Sequence, residues 1–356
     1  MFSLRYDRSP GIRLRAAFCL LAAAAAALCL LAAAAAALGL RPRPELLRSS
    51  GGIPASIAGA FRQPLAYQQT DDGRSFVFDR RSHAVYTIAG GTAKKIIEVG
   101  AEPGRVIDPT AFAIDPADGT FVIADAPLRQ QRIQVFTATG SRLAGFTLPA
   151  KEVARVTLDA LVVNGVGSVQ FTGRSIFINQ PETGALISEL SLYGEPIRAF
   201  GELRKTGQQA DPDVQLAFNS GFPLIDPTGG FYFVFGAGVP MFRKYDAKGT
   251  LLFERHVEGP ELDEYLRNLP GVWPKRRNGD GDLLPYVPPA IRTAAVDRAG
   301  ALWISLMQPI TYVYDATGEK VRTVQFKGAD ILAPSSLFFA KDGRVLVTPG
   351  CYEFRP

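Results

Sequence analysis

Apolar and polar residues alternate in short runs along the chain, most clearly over residues 109–148. This stretch reads PTAFAIDPADGTFVIADAPLRQQRIQVFTATGSRLAGFTL. Three runs rich in Phe, Ile, Val and Thr are separated by Asp-Gly, by a polar loop and by Thr-Gly, and a looser fourth run covers residues 142–148. β-Branched and aromatic runs bounded by Gly and Asp are typical of strands joined by hairpins. The stretch therefore predicts a unit of four antiparallel strands.

Glycines at equivalent turn positions indicate that this unit repeats. Its first and last hairpins contain Gly119 and Gly140, and similarly spaced pairs are Gly73 and Gly91, Gly165 and Gly184, Gly230 and Gly249, and Gly300 and Gly318, with Gly343 opening a sixth unit. Successive first-hairpin glycines are 46, 46, 65, 70 and 43 residues apart. A period in the mid-forties suits four-stranded propeller blades. The repeat predicts an all-β fold, a six-bladed β-propeller over residues 53–356.

The sixth unit is too short for four strands, because the chain ends at Pro356 soon after Gly343. An incomplete blade would leave a strand edge unpaired, which invites aggregation. We therefore expect the segment just before the first blade, roughly residues 53–61, to supply the missing outer strand.

Blade two resembles an NHL repeat. The family pattern is an aliphatic run, Asp, a Gly turn, an aliphatic run ending in Asp, and a polar loop leading to Arg-Ile-x-Val-Phe, and Asp125 and Arg132 match its Asp and Arg. The segment VGAEPGRVIDP also resembles a connector of bacterial six-bladed propellers of unassigned function. The resemblance implies the fold and a structural pairing of Asp125 with Arg132 within the blade. It implies little about activity, since propellers serve many functions.

The N-terminal region differs from the rest of the chain. Residues 1–15 are basic, residues 16–40 form an uncharged, Ala- and Leu-rich run, and residues 41–52 have the Pro, Ser and Gly content of a linker. The apolar run is long enough to span a bilayer, and we favour a transmembrane anchor over a signal peptide cleaved near residues 35–37. The upstream arginines predict a cytoplasmic N-terminus and an extracytoplasmic body, periplasmic or extracellular. Cleavage would make the body a secreted protein.

Charge and cysteine content narrow the functional classes. The chain carries a net charge of +5, of which the four Arg and one Asp of residues 1–40 account for +3. The near-neutral remainder gives no support for nucleic-acid binding. Cys19 and Cys29 lie in the apolar run and Cys351 is alone in the body, so no disulfide is expected within the propeller.

Two insertions lengthen the repeat, at residues 193–215 and 259–290. In the second, Leu262, Leu266 and Leu269 recur at helical spacing and predict a short amphipathic helix. Both insertions join the outer strand of one blade to the inner strand of the next. They should therefore share a face with the loops between each blade's second and third strands. Function concentrates on extended loops held by a rigid scaffold, so we expect the binding face there.

Candidate binding residues on this face are mostly basic. Charged loop residues are usually only solvated, but a basic rim would also receive an acidic polypeptide or glycan. Trp273 is included because a loop tryptophan often anchors an interface, although it could equally pin the insertion to the ring. The candidates are Arg80, Arg81, Arg129, Trp273, Lys275, Arg276 and Arg277.

The sequence offers few catalytic or metal-binding groups. With only His83 and His256, a site of three histidines for zinc is excluded from a single chain. Calcium-dependent lactonases are also six-bladed propellers, and by residue type the nearest equivalents of their ligands are Asp108 and Asn219. Asp280 and Asp282 lie in an NGDGD run resembling the start of a calcium loop, but Pro289 stands where its Glu should be. We predict no cofactor, with calcium as the alternative.

Two functional hypotheses follow from the sequence. In the first, the protein is a membrane-tethered extracytoplasmic recognition or scaffold module that binds a protein or peptide through the face bearing the insertions. The alternative is a metal-dependent hydrolase or lyase of the lactonase-like propeller type, for which the catalytic residues are not apparent. We favour the non-enzymatic hypothesis.

Overall fold

Short antiparallel strands are the main secondary structure of the described residues in the computed structural model. The structure describes residues 43–127, 130–149, 166–208, 210–277 and 283–356, with the backbone of residues 155–158 and 161–164. Residues 44–356 form one compact unit. The predicted basic N-terminus 1–15 and transmembrane segment 16–40 lie outside the described residues. Within the described part of the chain, no helix is long and apolar enough to cross a membrane.

The N-terminal strands and the first three blades occupy residues 45–202. A short helix, α1 (Ala55–Ala58), precedes blade one, and a 3₁₀ turn (Pro181–Thr183) lies within blade three. The strands are β1 (Glu45–Arg48), β2 (Gly51–Gly52), β3 (Pro64–Gln69), β4 (Ser75–Asp79), β5 (Ala84–Ala89), β6 (Thr92–Lys95), β7 (Ala111–Ile114), β8 (Phe121–Asp125), β9 (Arg132–Phe136), β10 (Arg142–Thr147), β11 (Arg155–Leu158), β12 (Leu161–Asn164), β13 (Val169–Phe171), β14 (Ile176–Gln180), β15 (Ala185–Leu190) and β16 (Pro196–Glu202).

Blades four to six follow, with helices only in the connections between blades. These are α2 (Pro212–Ala217), a 3₁₀ turn (Pro260–Leu262) and α3 (Asp263–Arg267). The strands are β17 (Gly221–Ile225), β18 (Phe231–Phe235), β19 (Met241–Tyr245), β20 (Leu251–His256), β21 (Lys275–Arg277), β22 (Leu283–Pro285), β23 (Ile291–Val296), β24 (Leu302–Leu306), β25 (Thr311–Tyr314), β26 (Lys320–Lys327), β27 (Ile331–Leu332), β28 (Ser336–Phe339), β29 (Val345–Thr348) and β30 (Tyr352–Phe354).

The innermost strands establish a closed ring. Strands β3, β7, β13, β17, β23 and β28 each lie against the next in that order, and β28 lies against β3. Apart from the N-terminal strands β1 and β2, neighbouring strands within each blade are antiparallel and consecutive in sequence. This is the six-bladed β-propeller that the repeat predicts, and the glycine turns of blades one, two, four, five and six lie where the sequence analysis places them.

Ring closure uses a different segment from the one predicted. β2 pairs antiparallel with β30 as the outer strand of blade six, whereas residues 53–61, assigned to that role, contain α1. Gly52 has φ +144°, and a Cβ there would lie 2.5 Å from the carbonyl oxygen of Cys351. Only glycine permits so close an approach of two backbones. Pro54 then precedes α1 as its N-cap residue, and its carbonyl oxygen accepts from the N–H groups of Ile57 and Ala58.

Part of the predicted linker 41–52 also belongs to the ring. β1 pairs parallel with β26 as a fifth strand of blade five, and Leu47 is buried in the cluster that contains Phe326 and Phe354. Arg322 donates two hydrogen bonds of 2.9 Å to the carboxylate of Glu45. The buried Leu47 and a bidentate ion pair thus attach this segment to the outer edge of blade five.

Blade three is shifted from its predicted position. Its first hairpin contains Gly173 rather than Gly165, and its last contains Gly194 rather than Gly184. The run at 155–164 has a strand pattern, but β11 and β12 pair only with each other, in a hairpin outside the blade. The outer strand β16 therefore occupies part of the predicted insertion 193–215, and the connection itself begins at residue 203.

The core lies between blades, because each blade is covered on both sides by its neighbours. All five residues of β18 are buried, as are all five of β4 and of β8. Phe121 contacts Phe76 of blade one and Phe136 of its own blade, with ring centroids 6.1 and 5.2 Å apart. Trp303 packs against Phe339 of the next blade, as expected for a strand tryptophan.

The pair implied by the NHL resemblance is confirmed. Arg132 donates to both carboxylate oxygens of the fully buried Asp125, at 2.9 and 2.6 Å. It also donates to the carbonyl oxygens of Ala101 and Arg105. The pair therefore anchors the connection from blade one onto blade two, which is a structural role.

Gly52→Ala should destabilise the ring. The new Cβ would meet the Cys351 carbonyl, and φ +144° is unfavourable for alanine, which costs about 1–3 kcal/mol of unfolding free energy. Gly51→Ala is the matched control, because its Cβ would meet only Glu353 Oε2 at 3.5 Å and the change should stay within about 1 kcal/mol of wild type. Urea unfolding measures both, and equal stabilities would contradict closure at Gly52.

Candidate functional site

The two faces of the ring differ in how the chain crosses them. Antiparallel order places each blade's 1–2 and 3–4 hairpins on one face, termed the hairpin face, and its 2–3 loop and the connection to the next blade on the other, termed the loop face. The hairpin face carries tight turns such as 115–120 and 226–230. The connections longer than a turn lie on the loop face: 53–63, 96–110, the described residues of 148–168, 203–220 and 257–290, and 328–335. Residues 203–215 of the first predicted insertion and the described residues of the second are therefore on the loop face, whereas residues 193–195 lie in a turn on the hairpin face.

Three of these connections meet above blades three and four. Strand β11 lies against α2 and against β22, so the hairpin 155–164 contacts both later connections. We call the described residues of 155–164, 203–220 and 257–290 the cap. Its buried apolar cluster consists of Val214, Ala217, Phe218, Ala237, Trp273 and Val287. Because Ala237 belongs to the 2–3 loop of blade four, the cap packs onto the ring.

Trp273 lies inside this cluster, and only 8% of its surface is exposed. Its ring meets Phe218 edge-on, with centroids 5.0 Å apart and an interplanar angle of 81°. This contact joins the second insertion to the first. Trp273 therefore holds the second insertion against the ring, which is the alternative role considered for it above. Little of its surface is exposed to contact a partner.

Arg204 fastens the cap to blade four. Its guanidinium donates to the carbonyl oxygens of Phe218, Val239 and Ala237 at 2.9, 2.8 and 2.6 Å, and it stacks over Phe235 at 4.3 Å. Burial, with a smaller contribution from Arg243, lowers the pKa of Arg204 to about 10, so it remains charged at neutral pH. In sequence, Arg204 resembles the other charged residues around it, and no local signal marks this role.

The predicted amphipathic helix is present as a 3₁₀ turn followed by α3. Leu262 is buried, whereas 38% of Leu266 is exposed. Tyr265 donates to the carbonyl oxygens of Gly238 and Pro288, and burial raises its pKa to about 12. Glu261 accepts a hydrogen bond from Tyr312 of blade five. These contacts hold the second insertion across blades four and five.

The basic candidates separate into two groups. Arg80 and Arg81 lie in the 2–3 loop of blade one, whereas Lys275, Arg276 and Arg277 form β21 of the cap. All three β21 side chains are exposed, and the Arg276 guanidinium lies 3.6 Å from the centre of the Tyr286 ring. Blades one and four are opposite in a six-membered ring, so the two groups do not form one continuous rim. Arg129 lies outside the described residues.

Arg80 differs from its neighbour Arg81 in burial. Its side chain is partly buried, and burial lowers its pKa below the ordinary value, an effect opposed by the carboxylate of Asp108. Arg81 is exposed.

The calcium-ligand candidates are not brought together. Asn219 is fully buried, and its amide donates to the carbonyl oxygens of Arg204 and Gln215 while accepting from the Arg204 N–H. Asp108 lies on blade two, where its Oδ1 is 3.7 Å from Nε2 of His83. Asp280 and Asp282 lie outside the described residues. Among the residues that are described, no three His, Cys, Asp or Glu side chains cluster as metal ligands would.

Cys351 is buried at the closing blade, where burial raises the pKa of its thiol to about 12. The reactive form of cysteine is the thiolate, so this thiol is unsuited to nucleophilic chemistry at neutral pH.

Comparison with known proteins gives fold similarity only. Solved structures similar to this chain include a streptogramin B lyase (13% identity, 82% of this chain and 92% of that chain, TM-score 0.46). A second is a protein of unknown function from Bacteroides caccae (12% identity, 72% of this chain and 80% of that chain, TM-score 0.44). A third is the C-terminal WD40 domain of Sif2 (13% identity, 82% of this chain and 68% of that chain, TM-score 0.42). No family model and no curated protein matches the chain. The propeller assignment therefore rests on the strand pairing, and the NHL family assignment stays a prediction.

Trp273→Ala should loosen the cap while leaving the ring folded. Removing a buried tryptophan costs about 3–5 kcal/mol, here in a cluster separate from the blade cores. We expect faster amide hydrogen exchange in both 203–220 and 257–277, and unchanged exchange in β18 and β24. Val272→Ala is the matched control, because Val272 is 88% exposed. Unchanged exchange in 203–220 would show that Trp273 does not join the two insertions.

Proposed function

We propose that this protein is a recognition module whose six-bladed ring presents the cap as its binding surface for a protein or peptide. The observation that carries the proposal is the cap itself. Three separate connections pack into one structure with its own buried cluster, all on the loop face, while the hairpin face keeps tight turns. Binding loops on a rigid scaffold are a common arrangement for recognition.

The surface of the cap favours an acidic, partly apolar partner. Lys275, Arg276 and Arg277 are exposed on β21, and a basic patch attracts acidic ligands. Large apolar side chains are exposed on the same side of the ring: Val239, Leu266, Val272 and Leu283. Clustered apolar surface rimmed by charge is characteristic of protein interaction sites. An amphipathic acidic segment would satisfy both features.

We also propose that the ring is held outside the cytoplasm by an N-terminal membrane anchor. The support is the uncharged run 16–40 and the arginines that precede it. In this arrangement the partner is an extracytoplasmic or membrane-associated protein.

Charge reversal tests the binding surface. We expect Lys275→Glu, Arg276→Glu and Arg277→Glu together to weaken capture of the native partner from membranes of the source organism by about tenfold or more, because like charges across an interface are costly. Quantitative co-purification with the full chain measures the effect.

The matched control reverses three exposed cations on the hairpin face: Arg174→Glu, Lys248→Glu and Lys341→Glu. Its net charge change is identical, so it separates a local effect from a general one. Retention of the partner by the control and its loss from the β21 variant support the proposal. Equal loss from both, or loss from the control alone, contradicts it.

A further inference from the structure

A groove on the loop face of blade one, remote from the cap, has a volume of about 500 Å³. That volume lies within the range of small-molecule sites. Its polar and aromatic lining is Arg62, Arg81, Ser82, His83, Tyr86 and Lys95, and no carboxylate is among the lining residues. We propose that this groove binds an organic oxyanion, a molecule that carries a carboxylate or phosphate group on a planar or apolar body.

Two guanidinium groups supply the charge. Arg62 and Arg81 are exposed, and neither side chain has a hydrogen bond or ion pair among the described residues. Arginines with a structural role in this protein differ in this respect, because the guanidinium groups of Arg132, Arg204 and Arg322 donate hydrogen bonds to other residues. A planar guanidinium presents paired donors that match a carboxylate or phosphate.

A buried carboxylate fixes the backbone beneath both arginines. Asp79 is fully buried and accepts from the N–H groups of Arg62 and Gln63, at 2.8 and 2.9 Å. It also accepts from the backbone and hydroxyl of Ser82, at 3.3 and 2.7 Å. The segment before β3 and the turn after β4 are thereby joined at one point. Asp79 therefore organises the backbone of the groove from beneath, and it is not itself among the lining residues.

The other lining residues define the body of the ligand. Tyr86 packs against Phe61 with ring centroids 5.1 Å apart, which holds the tyrosine ring in place along the groove. An immobilised ring favours a planar or apolar ligand body. Lys95 is paired with Glu98 at 3.1 Å, and His83 faces Asp108 at 3.7 Å. Lys95 is therefore partly neutralised, and the two arginines supply most of the positive charge for recognition.

Histidine NMR on the full-length chain tests the proposal, because the chain has only two histidines. His83 lines the groove, whereas His256 is exposed at the end of β20 in blade four and serves as the internal reference. The probes are phenyl phosphate and benzoate, at constant pH in a buffer free of oxyanions, with phenol as the neutral control. We expect a saturable shift of the His83 imidazole resonance with at least one oxyanion, no shift of His256, and none with phenol.

Variants assign the effect to the arginines. Arg62→Gln and Arg81→Gln should each weaken binding about tenfold, since each removes charged hydrogen-bond donors. Arg174→Gln, on the hairpin face, should bind as wild type does. The relative affinities of the two probes decide between phosphate and carboxylate, and either answer supports the site.

Several outcomes would overturn the proposal. These are no saturable shift with either oxyanion, equal shifts of His83 and His256, an equal response to phenol, or binding that persists when both arginines are replaced. The β21 charge-reversal variant should still bind the probe, so failure of the groove and failure of the cap as a partner surface are distinguishable.

Discussion

Closure of the ring is the constraint on which the rest of the structure depends. Blade six has only three strands of its own, and its third strand, β30, would present unpaired backbone groups without a partner. Gly51 and Gly52 complete the pairing, where the absence of a side chain at Gly52 allows the backbone to approach Cys351. The inner strands β28 and β3 can then remain in contact, and every blade is covered by two neighbours.

A closed ring gives the connections between blades a rigid base. The connections differ in structure from one part of the loop face to another. On one side of the loop face, three connections build a cap with an apolar cluster around Trp273. On the other side, above blade one, the surface is an open groove in which Asp79 holds the walls. The guanidinium groups of Arg62 and Arg81 have no hydrogen-bond partner in the part of the chain that the structure describes. In our proposals, the cap with its apolar cluster is the surface for a macromolecular partner, and the open, charged groove binds a smaller ligand.

The repeat could be predicted from sequence because hairpin glycines and buried strands leave local patterns. The pairing of Asp125 with Arg132 was implied by the resemblance of blade two to an NHL repeat. The predicted position of blade three was wrong, because strands β11 and β12 have the sequence pattern of blade strands but pair only with each other. The closing strand was missed because two glycines pair through their backbone and leave no side-chain pattern. The groove and the cap depend on contacts between distant segments, such as Asp79 with Arg62 or Trp273 with Phe218, and one sequence does not reveal these.

Site-specific photo-crosslinking tests most directly whether the capped loop face is the binding surface. A photo-reactive amino acid in place of Val272, which is 88% exposed on the cap, is compared with the same group in place of Ala117, which is exposed in a turn on the hairpin face. The full chain is irradiated in cells of the source organism, and covalent adducts are identified by mass. We expect one specific protein adduct from position 272 and none from position 117. A specific adduct from position 117 with none from 272 would contradict the assignment of the binding surface to the capped face.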